Sequence, residues 1–188
     1  YAGESKTTSS KSINGYILFE LPDSESYILT ENEQIVTYYY IKQSDVTVKY
    51  IDENTGNEID GVDSVTTTYK EKDPYTTEKK TIEGYTYTRD TENTTGIVGR
   101  ENIEVIYYYK RNSEVTAKYI DKNTQEVIAT EVNKKGLEGD PYTTEQKTIS
   151  GYVYDSVVGD ASGNLKANPT EVIYYYIKQS DVTAKYID

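Results

Sequence analysis

The sequence predicts an α+β fold, strongly β-rich: tandem small β-grasp-like (ubiquitin-like roll) domains arranged as an elongated rod. Three observations predict it. The first is repetition. "VTYYYIKQSDVTVKYID" at 36–52 returns nearly unchanged as "VIYYYIKQSDVTAKYID" at 172–188. Gly-Tyr pairs end at Tyr16, Tyr85 and Tyr152, and tyrosine runs begin at Tyr38, Tyr107 and Tyr174, each series stepping by 69 and then 67 residues. A fixed period of this kind marks a repeat architecture. The second is composition. The 188 residues include 22 Tyr and one Phe, with only 35% apolar content. One large core is excluded, and several small ones closed by tyrosine rings with wet hydroxyls fit better. The third is the order of elements within a repeat: strand, strand, short helix, strand, strand.

The opening strand starts at Val46, Val115 and Val182 and fixes the parse. Residues 45–113 and 114–180 are two complete repeats. Residues 1–44 are the C-terminal part of an earlier one, and 181–188 the opening strand of a later one. The linkers "IKQS" and "KRNS" contain neither Gly nor Pro, so they are expected to restrict bending.

Each element has its own signal. "DVTVKYID" alternates, with Val46, Val48 and Tyr50 on one face and Thr47, Lys49 and Ile51 on the other, as a half-buried strand does. "ENTGNE" supplies hairpin-turn residues, which places a second strand within 58–69. In "DPYTTEKKTI" Asp73 suits a helix cap and Pro74 its first turn. "DPYTTEQKTI" at 140–149 repeats the signature. The threonines limit that helix to one or two turns, and if it makes only a turn the alternative is a fully β fold. "GYTYTRD" reads as the third strand and "NIEVIYYYK" as the last. The last strand is apolar or aromatic on both faces and belongs in the middle of a sheet, beside the opening strand and parallel to it. Val36, Tyr38 and Tyr40 recur as Val105, Tyr107, Tyr109 and as Val172, Tyr174, Tyr176, the invariant core face. The other face admits Thr37 and Lys110 and is the wetter one.

Charge and composition exclude several functions. A net charge of −12 opposes phosphate backbones and anionic lipid surfaces, so no nucleic-acid partner is expected. No apolar run approaches the ~20 residues of a membrane span, so no membrane insertion is expected in this segment. The absence of Cys and His removes thiol nucleophiles, disulfides and the commonest general base and metal ligand. Neither enzymatic activity, a cofactor nor a metal is expected. "DENTGNE" at 52–58 carries oxygen ligands but lacks the full calcium-loop spacing, and the equivalent loop contains Lys122. Solvated turn residues are the better reading.

"VTVKYIDENTGNEI", "DPYTTEKKTIEGYTY" and "EVIYYYK" resemble the MucBP (mucin-binding protein) repeat of Gram-positive cell-surface adhesins. The resemblance covers essentially the whole chain. The first repeat departs from it, with "ESKTTSSKSINGY" where the third has "DPYTTEQKTISGY". The resemblance implies a β-grasp-like fold, tandem arrays, and an extracellular, cell-wall-anchored parent. It also implies mucin glycoproteins or host glycans as partners. No catalytic residue is carried over from it.

Within that frame the outward Tyr39, Tyr108 and Tyr175 are candidate stacking platforms for sugar rings, one per repeat. The bland alternative is that they pack on a neighbouring strand. Lys49 and Lys118 are candidate local patches for polar groups, since the acidic chain disfavours anionic glycans over neutral ones. A pure spacer is the competing role. The fragments suggest one more. An opening strand carrying Val182, Ala184 and Tyr186 could fill the gap in the next chain's incomplete first repeat by head-to-tail strand addition. The expectation is either that self-association or a poorly ordered amino-terminal portion.

Overall fold

Period-two alternation builds the strands, and the tyrosines they carry inward fix the cores. The computed structural model describes residues 1–180, 184, 185 and 187. Among these are fourteen strands and no helix. They are β1 (Ser5–Thr7), β2 (Tyr16–Glu20), β3 (Ser26–Ile28), β4 (Tyr39–Asp52), β5 (Val65–Lys70), β6 (Pro74–Thr76) and β7 (Tyr85–Asp90), then β8 (Thr95–Ile97), β9 (Ile103–Asp121), β10 (Val127–Leu137), β11 (Pro141–Thr143), β12 (Tyr152–Val158), β13 (Ser162–Asn164) and β14 (Thr170–Lys178). The chain divides into two compact units. The first gathers Tyr1–Ile51, Glu58–Lys80 and Arg89–Tyr108; the second gathers Asp52–Asn57, Thr81–Thr88 and the chain from Tyr109 onward. The linker 41–44 falls in the first unit, and the linker 110–113 in the second.

In the second unit β14 lies parallel to β9, in register from Thr170↔Val115 to Tyr176↔Asp121. The predicted parallel pairing of opening and closing strands is therefore present. β12 covers the other edge of β14, with a bulge between Tyr154 and Ser156, and β10 covers the other edge of β9. The inner face buries Val115, Ala117, Tyr119, Leu165, Val172, Tyr174 and Tyr176. Tyr119 and Tyr174 stack with ring centroids 5.5 Å apart and planes 14° apart, and Tyr154 meets Tyr176 edge-on at 5.9 Å. Offset and edge-to-face pairs of this kind contribute about 0.5–1.5 kcal/mol each beyond burial.

The first unit repeats the plan. β5 pairs with β4, and β9 begins alongside β4. Val46, Val48, Tyr50, Val105 and Tyr107 are buried, and Tyr50 stacks on Tyr107 at 6.0 Å and 14°. Val36, Tyr38 and Tyr40, at the corresponding positions nearer the amino terminus, are only half-buried. β2 pairs with Tyr39 and Tyr40. Even so, Tyr38 Oη meets Thr8 Oγ1 at 2.8 Å, matching Tyr107 with Thr77 and Tyr174 with Thr144, both at 2.9 Å.

The helix expected after Asp73 and Asp140 is not formed, which corrects the α+β reading to an all-strand one. Pro74–Thr76 is the strand β6, paired with β8, and Pro141–Thr143 is β11, paired with β13. The two aspartates close turns instead of capping helices: Asp73 Oδ2 accepts Lys70 N at 3.0 Å and Asp140 Oδ2 accepts Leu137 N at 2.8 Å. β-branched threonines favour the extended form, and the tyrosines consume backbone groups a helix would have used. Tyr176 Oη accepts from Lys147 N and donates to Lys147 O, each at 2.8 Å. Tyr40 does the same to Lys11 at 2.8 and 2.7 Å.

The junctions at 41–44 and 110–113 are strand, not loop. β4 runs unbroken through "IKQS". Gln43 N donates to Gly15 O of the preceding repeat, and Glu71 N of the following repeat donates to Lys42 O, both at 2.8 Å. In the second unit Asn112 N donates to Gly84 O at 2.7 Å and Glu138 N to Arg111 O at 2.8 Å. Lys42 lies over the Tyr16 ring at 5.6 Å, and Arg111 over the Tyr85 ring at 5.4 Å. The backbone groups of both linkers are thus taken up by hydrogen bonds to the segments on either side.

Candidate ligand-binding surface

Alternation aims every second residue of the closing strand outward, and this sets the three tyrosines on the outer sheet face. Tyr39 is 57% exposed and pairs with Glu20 across the ladder. Tyr108 is half-buried beneath Arg89, whose guanidinium carbon sits 3.7 Å from the ring centroid. Tyr175 is half-buried and pairs with Ser156. Among the described residues no cation lies over Tyr39 or Tyr175. Exposed Val153, Val158 and Ile177 lie on the same two strands as Tyr175 and Ser156. The position facing the outward tyrosine thus reads Glu20, Arg89 and Ser156 in the three repeats, so the platforms differ chemically.

The two lysines are not free charges. Lys49 Nζ pairs with Glu104 Oε2 at 2.6 Å, and Lys118 pairs with Glu171. Hydrogen bonding to these carboxylates raises both lysine pKa values. Lys118 lies level with Ile173, and Ile120 level with Tyr175, so lysine and tyrosine share the outer face of one parallel pair. Of the strand-exchange residues, Val182 and Tyr186 lie outside the described residues, and Ala184 is exposed and belongs to no strand.

Sequence reasoning missed other polar clusters. Asp52 and Asp121, expected to be solvated, are buried. Asp52 Oδ1 accepts Asn54 N, and its Oδ2 accepts Tyr85 Oη at 3.3 Å, while Arg111 donates to that same hydroxyl at 2.8 Å. Asp121 accepts Asn123 N at 2.8 Å and Thr124 N at 3.2 Å. The recurrence of "YID" before each turn was the available signal. The Arg89 cap had none, because it depends on cross-strand register.

All-strand repeats, two of them closed by a stacked inward tyrosine pair, define a tandem-repeat protein. The model of the MucBP domain matches residues 1–41, 45–110 and 114–177, and the chain belongs to that family. Internalin J of Listeria monocytogenes serovar 1/2a (strain ATCC BAA-679 / EGD-e) is 32% identical over 195 residues, covering 97% of this chain and 22% of that protein. Internalin I of L. monocytogenes serotype 4b (strain F2365) is 30% identical over 151 residues, covering 76% of this chain and 8% of that protein. The chain therefore spans about a fifth or less of the length of these relatives. Among solved structures, domains 3-4 of Streptococcal High Identity Repeats in Tandem from a cell surface protein align at 14% identity with a TM-score of 0.27, covering 72% of this chain and 98% of that one. The type 2 repeat of the mucus binding protein MUB from Lactobacillus reuteri aligns at 17% identity with a TM-score of 0.22, covering 70% and 98%.

Proposed function

We propose that this chain is a segment of an extracellular, cell-wall-anchored bacterial adhesin whose repeats bind mucin or host glycans weakly and multivalently. The repeats run 1–44, 45–113, 114–180 and 181–188, the two complete ones being β-grasp-like beads on a rod. The observation that carries the reading is the outward tyrosine at the same position of three successive repeats, Tyr39, Tyr108 and Tyr175, in a chain of the MucBP family. An aromatic face suits the apolar face of a sugar ring, and weak sites repeated along one chain raise overall avidity by about 10²–10⁴-fold when they engage together. Lys49 and Lys118, held by their glutamates, offer donors to neutral hydroxyls at the same face.

The test is retention of the chain on immobilised mucin, displayed singly and on multivalent beads. Bead-borne chain should be retained, enzymatic deglycosylation of the mucin should abolish retention, and the Tyr39→Ala, Tyr175→Ala double variant should lose most of it. A second reading, a spacer that lifts other domains from the wall, is favoured by the strand-continuous junction of β4. No retention at any valency would select it.

A further inference from the structure

Beside the irregular, non-helical segment that follows β11, and beside its counterpart after β6, a cleft opens over the inner sheet face in both complete repeats. In the second unit it measures about 270 Å³, with Ala117 and Tyr119 as floor, Val132 and Lys134 of β10 as one wall and Thr143–Lys147 as the other. In the first unit the equivalent cleft, over Val48 and Tyr50 and between Val65, Thr67 and Thr76–Glu78, measures about 150 Å³. The difference follows the sequence: Val48 stands where the third repeat has Ala117.

The larger cleft is rigidly built. Thr144 Oγ1 is tied to Tyr174 Oη at 2.9 Å. Lys147 Nζ donates to Thr130 O at 2.6 Å and lies 4.3 Å from the Tyr119 ring centroid. Its polar rim, by contrast, is unspent. The Glu145 carboxylate, the Gln146 amide and the Lys134 ammonium make no hydrogen bond or ion pair among the described residues. Lys134 stands level with buried Val115, so it is an inward-facing lysine on an edge strand. An inward charge deters edge-to-edge pairing, but that role does not explain the carboxylate and amide lining the same cleft.

We infer that this cleft, and not only the outer tyrosine face, is a binding site for a single neutral pyranose ring of a glycan; the inference rests on the glycan-binding reading above. A volume just under the ~300 Å³ at which small-molecule pockets begin admits one ring and not an oligosaccharide. The apolar face of the sugar lies on half-buried Val132, above fully buried Ala117. Neighbouring hydroxyls donate to the Glu145 carboxylate and accept from Lys134 and Gln146. A sugar carboxylate would face Glu145 and the chain's net charge of −12, so sialic acid is disfavoured. The smaller cleft of the second repeat excludes the ring.

The test is amide chemical-shift mapping of the isotope-labelled whole chain against the methyl glycosides of galactose, N-acetylgalactosamine and N-acetylglucosamine, with sialic acid as charged control. At least one neutral glycoside should shift residues 132–134 and 143–147, and sialic acid should not. Ala117→Val installs beneath the cleft the residue that stands at position 48; with an unchanged amide spectrum away from the cleft as the check on folding, it should weaken binding by about tenfold or more. Val48→Ala should create matching shifts at 65–67 and 76–78. Shifts confined to the surroundings of Tyr175, or full binding by the Ala117→Val variant, overturn the cleft and leave the adhesin reading standing. So does retention on mucin without any response to the glycosides. Absence of both mucin retention and glycoside shifts overturns the two together.

Discussion

Tyr176 shows how one side chain can replace an element of secondary structure. Its ring is 1% exposed, and its hydroxyl satisfies both backbone groups of Lys147. Tyr174 spends its hydroxyl on Thr144. Phenylalanine at position 176 would keep the ring but strand a part-buried N–H and a C=O, which costs about 1–3 kcal/mol. Tyr176→Phe should therefore lower the denaturant midpoint with an unchanged slope, whereas Tyr175→Phe, on the outer face, should leave it nearly unmoved. Equal effects would show that the hydroxyl of Tyr176 is not structural.

Among the elements, the turns are where the repeats check each other. Lys72 has φ of 75° where the next repeat has Gly139 at 92°, and Gln125 has φ of 62° where the previous repeat has Gly56 at 74°. The left-handed region costs a residue with a Cβ about 1–2 kcal/mol, partly offset by the greater chain entropy glycine loses on folding. Lys72→Gly and Gln125→Gly should each stabilise by about 0.5–1 kcal/mol in thermal or urea unfolding; a loss of stability would mean those backbones are unstrained. The strands were legible because Val46, Val48 and Tyr50 alternate with polar residues, and because the inward series Val105, Tyr107, Tyr109 recurs unchanged. The helix was misread because Asp-Pro is a local signal, while the partner that holds Pro74–Thr76 extended, Thr95–Ile97, has no alternation to announce it. The outward tyrosines could be read from the period alone. The cleft could not, since Ala117, Val132 and Glu145 meet only after β10 has folded back on β9.

Taken as a whole, the molecule is acidic and held together by tyrosines, and the two properties meet at high pH. Desolvation raises Tyr50, Tyr119 and Tyr176 above the ordinary tyrosine pKa. In the unfolded chain these groups lose their protons near pH 10; in the folded chain they hold them longer. Their contribution is thus complete below about pH 10 and is lost as pH rises toward the folded values. Each tyrosinate formed also adds to a net charge already at −12. Stability should hold from neutrality to about pH 10 and then collapse, with part of the tyrosinate absorbance appearing in the same step as loss of β circular dichroism. A smooth titration with the strands intact would contradict this. The parallel pairing in the second unit carries a mechanical consequence. The chain enters the third repeat at the Val115 end of β9 and leaves at the Tyr176 end of β14, with Thr170 level with Val115 and Tyr176 level with Asp121. Tension between those ends drags two adjacent strands past each other in shear, so the rungs between them strain simultaneously instead of unzipping one by one.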